Sequence, residues 1–86
     1  MENIFPAVDK EEIAEFHKSI GQNIKRHREK KGMSQLELAI LMGHKSPSFI
    51  TNCENNKNKH FNLEHLFLIA NILEVDLCEL IKLESN

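Results

Sequence analysis

Hydrophobic residues recur every three or four positions through most of the chain, a spacing typical of amphipathic α-helices. Stretches rich in polar, turn-forming residues interrupt this pattern. The uninterrupted intervals predict an all-α fold of five helices without strands: residues 9–31, 34–42, 47 to about 55, 63 to about 74 and 77 to about 82.

Start and stop signals support these boundaries. Three segments match the capping box, in which an N-cap side chain and an acid three residues later bond each other's backbone amides: Asp9 with Glu12, Ser34 with Glu37 and Asp76 with Glu79. Asn62 is the predicted N-cap of the fourth helix, and Ser46 followed by Pro47 predicts the start of the third. Gly43 is the predicted end of the second helix, because glycine leaves a helix without a Cβ penalty.

The first helix has an apolar face formed by Ile13, Phe16, Ile20, Ile24 and His27. Gly21 lies in its middle and leaves two alternatives open, one long helix or two shorter ones.

The second and third helices form two short elements joined by a tight turn. Ile50 and Cys53 are the inward positions of the third helix, so the opposite face carries Ser48, Thr51, Asn52 and Asn55. Asparagine can pair bidentately with adenine, and serine and threonine can contact several bases. This face therefore has the chemistry of a reader of the DNA major groove.

The fourth helix is predicted to pack through Leu63, Leu66, Ala70 and Leu73, with Phe67 and Ile69 at the edges of that stripe. Leu68 and Ile72 lie four residues apart on the far side, where a monomer favours polar residues. We therefore predict that Leu68 and Ile72 form part of a dimer interface.

From residue 21 to residue 81 the chain resembles the Cro/repressor type of helix-turn-helix protein, the XRE family. The resemblance rests on Gly21, Ile24, Arg28, Gly32, Met33, Ser34, Gln35, Leu38, Ala39, Gly43, Ile50, Glu54, Asn55, Leu66, Ile69, Ala70, Leu73, Val75 and Leu80. It implies a five-helix, lambda-repressor-like domain whose first helix is extended at its N-terminus. Residues 1–16 are accordingly predicted to be an arm and helix extension, and residues 17–83 the DNA-binding domain.

Two features depart from the family pattern. Glu54 follows Gly43 at a distance one residue longer than is usual, which alters the turn. Asn56 stands where the family often has glycine. After glycine, asparagine is the residue that best tolerates a left-handed backbone.

The resemblance implies roles in contacting DNA. The base-reading positions are Pro47, Ser48 and Asn52, with Thr51 beside them, and the phosphate-contacting positions are Gln35, Asn55, Lys57 and Lys59. Arg26 and Lys45 are added as phosphate contacts on charge alone, and Phe49 is assigned to the core. Arg28 and Glu54 match a family ion pair that joins the first helix to the end of the third, and Arg28 is expected to reach a phosphate as well.

Charge is distributed unevenly along the chain. Residues 17–60 hold nine basic and three acidic residues, a net charge of +6, whereas the rest holds two basic and ten acidic residues, a net charge of −8. A basic surface around the third helix suits DNA, although the whole chain has a net charge of −2.

Other chemistry is not indicated by the sequence. Cys53 and Cys78 lack metal-ligand spacing and are interpreted as reduced structural thiols, and the five histidines match no zinc motif. We expect no metal, no cofactor and no enzymatic activity. Without an apolar run of membrane-spanning length or a secretory leader, a cytoplasmic location without membrane association is expected.

The sequence thus predicts a transcriptional regulator that binds double-stranded DNA as a homodimer on a near-palindromic operator. A stand-alone repressor, a restriction-modification controller and an antitoxin that also binds a toxin or another regulator protein all fit. The alternative is a protein–protein interaction module that uses the same helical fold without binding DNA.

Overall fold

The computed structural model describes residues 8–55 and 59–83, in which five helices form. They are α1 (Lys10–Lys30), α2 (Gln35–Leu41), α3 (Ser48–Glu54), α4 (Leu63–Leu73) and α5 (Leu77–Ile81). The described part of the chain contains no strand, so the all-α prediction is confirmed.

Local capping starts three of these helices. The predicted capping boxes of Asp9 with Glu12 and Ser34 with Glu37 are both present, with side-chain and backbone bonds of 2.8–3.2 Å. Asn62 caps α4 as predicted, and the reciprocal bond comes from Nδ1 of His65, which accepts the Asn62 N–H. These helix starts are therefore encoded by residues three positions apart.

The capping box predicted for α5 is wrong. Asp76 is the N-cap of α5, but its side chain makes no capping hydrogen bond. The Glu79 carboxylate instead lies 3.0 Å from Nζ of Lys82 and 3.9 Å from Nε2 of His27. The acid that the capping box requires is thus paired with Lys82.

Helix α1 runs through Gly21 without a break, which decides between the two alternatives. Its first buried residue is Ser19, so the turns before it lie largely outside the core. Ile13 and Phe16 were predicted on the packed face, yet both are exposed. The division into an extension at residues 1–16 and a domain at residues 17–83 remains a prediction; residues 1–7 lie outside the described residues, and the exposure of residues 8–16 is consistent with it.

One apolar core joins all five helices. It contains Ile20, Ile24, Leu38, Ala39, Ile50, Cys53, Phe61, Leu66, Ile69, Ala70, Leu73 and Leu80. In α4 the stripe is rotated from the prediction: Leu63 is 73% exposed, whereas Ile69, expected at the edge, is completely buried. The packed face of α4 is centred on Leu66, Ile69, Ala70 and Leu73.

Asn23 fastens α5 to α1. Its side chain is completely buried, and its amide donates to the carbonyl oxygens of Leu80 at 3.0 Å and Lys82 at 2.8 Å. These carbonyls lie at the C-terminal end of α5, where intrahelical donors run out. Asn23 therefore caps α5 from another helix, a role that no local sequence pattern predicts.

Replacing Asn23 by alanine should destabilise the fold by about 2 to 4 kcal/mol, because buried carbonyls lose their donors and a cavity forms. The measurement is the free energy of unfolding in urea. Asn71→Ala is the matched control, since the Asn71 amide lies at the surface and bonds only to the carbonyl of Phe67 within α4. Equal effects of the two substitutions would contradict the capping role of Asn23.

Candidate nucleic-acid interface

Helix α3 presents a polar face beside the N-terminal end of α2. Ile50 and Cys53 are buried as predicted; of the outer residues Ser48 is exposed, and Thr51 and Asn52 are half-buried. Burial raises the pKa of the Cys53 thiol to about 11, which fits the predicted structural thiol.

The start of α3 differs by one residue from the prediction. Pro47 occupies the N-cap position, and its carbonyl accepts the Thr51 N–H at 2.8 Å. Ser46, the predicted N-cap, lies one position earlier, and its hydroxyl accepts only a long bond of 3.4 Å from the Ser48 N–H. Helix α2 ends at Leu41, and Gly43, two residues later, has a φ of +94° in the left-handed region, which fits its predicted role in ending the helix.

A buried ion pair fixes α3 to α1. Arg28 Nε donates to Glu54 Oε2 at 2.8 Å and Nη2 donates to Oε1 at 3.1 Å, a bidentate arrangement. The side chains of Arg28 and Glu54 are 6% and 0% exposed. The predicted pair is therefore formed and lies inside the protein.

The third donor of Arg28 is also used within the protein. Nη1 donates to the carbonyl oxygen of Met33 at 2.7 Å, which holds the segment between α1 and α2. Three of the five N–H groups of the guanidinium are thus bonded within the protein and the side chain is 6% exposed, which leaves little of Arg28 for the predicted phosphate contact; that contact stays a prediction. Its role is to hold α3 and the start of α2 together.

Gln35 joins α2 to α3 by two hydrogen bonds. Its amide nitrogen donates to Glu54 Oε1 at 2.9 Å, and its amide oxygen accepts the Thr51 hydroxyl at 2.7 Å. The residue lies in the first turn of α2, where free backbone N–H groups favour an anion. Gln35 thus braces α3 from the position predicted to grip a phosphate.

Gly21 permits the close approach of α1 to the end of α3. A Cβ at this position would lie 2.9 Å from the carbonyl oxygen of Glu54 and 3.1 Å from that of Cys53, both backbone atoms. From the sequence, Gly21 was a possible break in the first helix, and its contact with α3 was not predicted. A glycine inside a helical pattern can mark a close packing contact, and this was the signal in the sequence that could have predicted it.

An aromatic cluster packs the other end of α3. Phe49 stacks on His44 of the turn with ring centroids 4.8 Å apart, and meets His65 at 4.6 Å and Phe61 at 5.7 Å edge-on. Burial, with the neighbouring His44, lowers the pKa of His65 below its ordinary value. Phe49 packs against the core, as predicted.

Two short helices held in this way, with a polar outer face on the second, form a helix-turn-helix unit. A family model described as helix-turn-helix matches residues 24–80. The chain belongs to the Cro/C1-type helix-turn-helix (XRE) family. The match supports a DNA-binding regulator in general. No match is found among curated proteins.

Solved structures share the fold. Hydroxypropylphosphonic acid epoxidase from S. wedmorenis is similar with a TM-score of 0.72 and 25% identity over 80% of this chain and 36% of that chain. The cobalt form of HppE in complex with substrate gives a TM-score of 0.70 and 25% identity over 83% and 39%. The chain thus spans little more than a third of the length of these structures.

Three of the seven predicted phosphate contacts of this helix-turn-helix domain lie at the surface near α3. Lys45 is exposed in the turn before α3, and Asn55 and Lys59 are exposed after α3. Lys57 lies outside the described residues. Lys45 thus lies before the start of α3, and Asn55 and Lys59 lie after its end.

Arg26 is placed elsewhere. It lies two residues from Arg28 on α1 and therefore points to the nearly opposite side of that helix. Its Nη2 donates to Asn23 Oδ1 at 2.6 Å, beside the end of α5. This position does not fit the phosphate contact predicted from charge alone.

The predicted dimer residues differ in burial. Leu68 is 39% exposed, but Ile72 packs against the core, so the two do not form one equally exposed pair. Leu63 and Phe67, which also lie four residues apart on α4, are more exposed at 73% and 66%.

Other site types are not seen within residues 8–55 and 59–83. No three side chains of metal-ligating type come together there. No helical segment in these ranges has the length and hydrophobicity that a bilayer crossing requires.

Glu54→Gln should destabilise this helix-turn-helix domain by about 3 kcal/mol, because it leaves the buried Arg28 guanidinium with only the exposed Glu29 carboxylate, 4.0 Å away, as a counter-charge. Urea unfolding gives the value. Glu79→Gln makes the same chemical change in the exposed pair with Lys82 and should have little effect. If both variants lost equally little stability, the ion pair would not be what holds α3.

Proposed function

We propose that the protein is a DNA-binding regulator that recognises a specific sequence of double-stranded DNA and acts as a homodimer on a near-palindromic operator. The observation that carries the proposal is the outer face of α3, held at a fixed angle by Arg28, Glu54 and Gln35. A helix held in this way suits insertion into the major groove, where only side chains of defined position can read base edges.

Within this proposal, Pro47, Ser48, Thr51 and Asn52 face the bases. Asn52 is the best reader, since its amide can pair with N6 and N7 of adenine, whereas Pro47 offers only apolar contact. Gln35, Lys45, Asn55, Lys57 and Lys59 contact phosphates, which positions the domain without reading sequence. Arg28 acts as a support for α3.

The proposal leaves several regulator types open. One recognition helix reads only a few base pairs, so two half-sites about 34 Å apart supply the specificity, which requires a homodimer. A stand-alone repressor, a restriction-modification controller and an antitoxin with a toxin partner all act in this way. In each of them the chain acts in the cytoplasm by binding, without catalysis.

A second candidate is a protein-interaction module without DNA binding. It is favoured by the similarity to the epoxidase structures, because a fold shared with part of an enzyme chain does not by itself dictate DNA binding. The two proposals differ in one property that is easily measured, the dependence of duplex binding on salt.

Duplex affinity should fall steeply with salt, with a log–log slope of about −0.9 for each phosphate neutralised. Lys59→Ala should weaken binding to operator and random DNA alike, whereas Asn52→Ala should cost about 1 to 3 kcal/mol per half-site on the operator alone. Lys82→Ala, at the end of α5, is the matched control and should change neither. Affinity independent of salt would support the interaction module instead.

The dimer interface is proposed to include Leu68, with Ile72 beneath it. Leu68→Glu should give a folded monomer by light scattering, because a buried carboxylate disfavours association. Phe67→Glu is the matched control on the neighbouring face of α4 and should leave the dimer intact. A monomer produced by Phe67→Glu alone would move the interface to the surface formed by Leu63 and Phe67.

A further inference from the structure

Four side chains from three helices form a continuous chain of hydrogen bonds. Arg28 donates to both oxygens of Glu54, Gln35 donates to Glu54 Oε1 at 2.9 Å, and Thr51 lies 2.7 Å from the other end of the Gln35 amide. This series of hydrogen bonds runs from the interior of the domain to the face of α3 that meets DNA in the proposed function.

The buried ion pair fixes the direction of every bond in this chain. A guanidinium can only donate and the carboxylate paired with it can only accept, so the Gln35 amide must turn its NH₂ group toward Glu54. Its oxygen then faces Thr51, and an amide oxygen can only accept. The reverse orientation would place the amide oxygen against the carboxylate, so the Thr51 hydroxyl must be the donor.

The hydrogen of Thr51 is therefore used inside the protein. A threonine hydroxyl has one hydrogen and two lone pairs, so the part that remains for a ligand consists of an acceptor and the neighbouring methyl group. Thr51 is half-buried, so part of the residue is accessible on the outer face of α3.

We propose that Thr51 is a specificity-determining residue that rejects guanine. In the major groove adenine and cytosine offer amino donors and thymine offers a methyl group, all of which match an acceptor and a methyl. Guanine offers N7 and O6, which are both acceptors and have no partner on Thr51. This inference rests on the proposed sequence-specific DNA binding and names one feature of the operator.

The test is selection of bound sequences from a random duplex library, followed by sequencing, with the full chain and its variants. The position at which Thr51→Val or Thr51→Ser changes the base frequencies is the base that Thr51 faces. At that position the wild-type protein should disfavour guanine by about fivefold or more, the worth of one hydrogen bond. Thr51→Ser keeps the hydroxyl bonded to Gln35 and should keep this rejection, whereas Thr51→Val should weaken it if adenine or cytosine is chosen.

Gln35→Met supplies the decisive comparison. It removes the acceptor that binds the Thr51 hydrogen, so the freed hydroxyl can donate to guanine, and the frequency of guanine should rise at that one position. Loss of a phosphate contact by the same substitution lowers the affinity for all sequences and leaves the other preferences unchanged. Circular dichroism and urea unfolding establish that each variant is folded.

Three results would overturn the inference: preference for guanine by the wild-type protein at the Thr51 position, no change at any position in either Thr51 variant, or rejection of guanine that persists in folded Gln35→Met. The Thr51 variants decide the question even if Gln35→Met does not fold. If the wild-type protein enriches no sequence at all, the proposed function itself fails, which is a distinct outcome.

Discussion

The bidentate pair of Arg28 and Glu54 is the interaction on which the arrangement of α3 depends. Helix α3 has seven residues, too few to be stable in isolation, so its position must come from tertiary contacts. The ion pair supplies the contact at its C-terminal end, where Arg28 also bonds the Met33 carbonyl and Glu54 also accepts from Gln35. Removing one partner would leave a buried charge without its bidentate partner, so the loss should cost much more stability than the loss of a surface pair.

The packing of the rest of the domain allows this pair to form and keeps it buried. Gly21 lets α1 approach the end of α3, and Phe49 packs the start of α3 against His65 of α4. Asn23 secures α5 against α1. Because Arg28 and Glu54 define which atoms donate and which accept, their effect extends to the hydroxyl of Thr51 at the surface.

Local signals predicted the helices well, and contacts between distant residues explain the failures. The capping boxes at Asp9 and Ser34 formed, whereas Glu79, at the same spacing from Asp76, pairs with Lys82 and lies 3.9 Å from His27 of the distant helix α1. The periodicity of the sequence identified the outer face of α3, but it could not show that Leu63 of α4 is exposed. The Arg28–Glu54 pair was predicted from the family resemblance; that Arg28 is only 6% exposed required the fold.

Amide hydrogen exchange in Glu54→Gln, compared with the wild-type protein, tests the central claim most directly. The ion pair acts on α3, so the amides of Thr51 and Asn55, which bond the carbonyls of Pro47 and Thr51, should lose protection first. The amides of α4, such as Leu66, should keep most of theirs. Equal loss of protection in α3 and α4, or none in either, would contradict the claim that the Arg28–Glu54 pair specifically holds the helix proposed to read DNA.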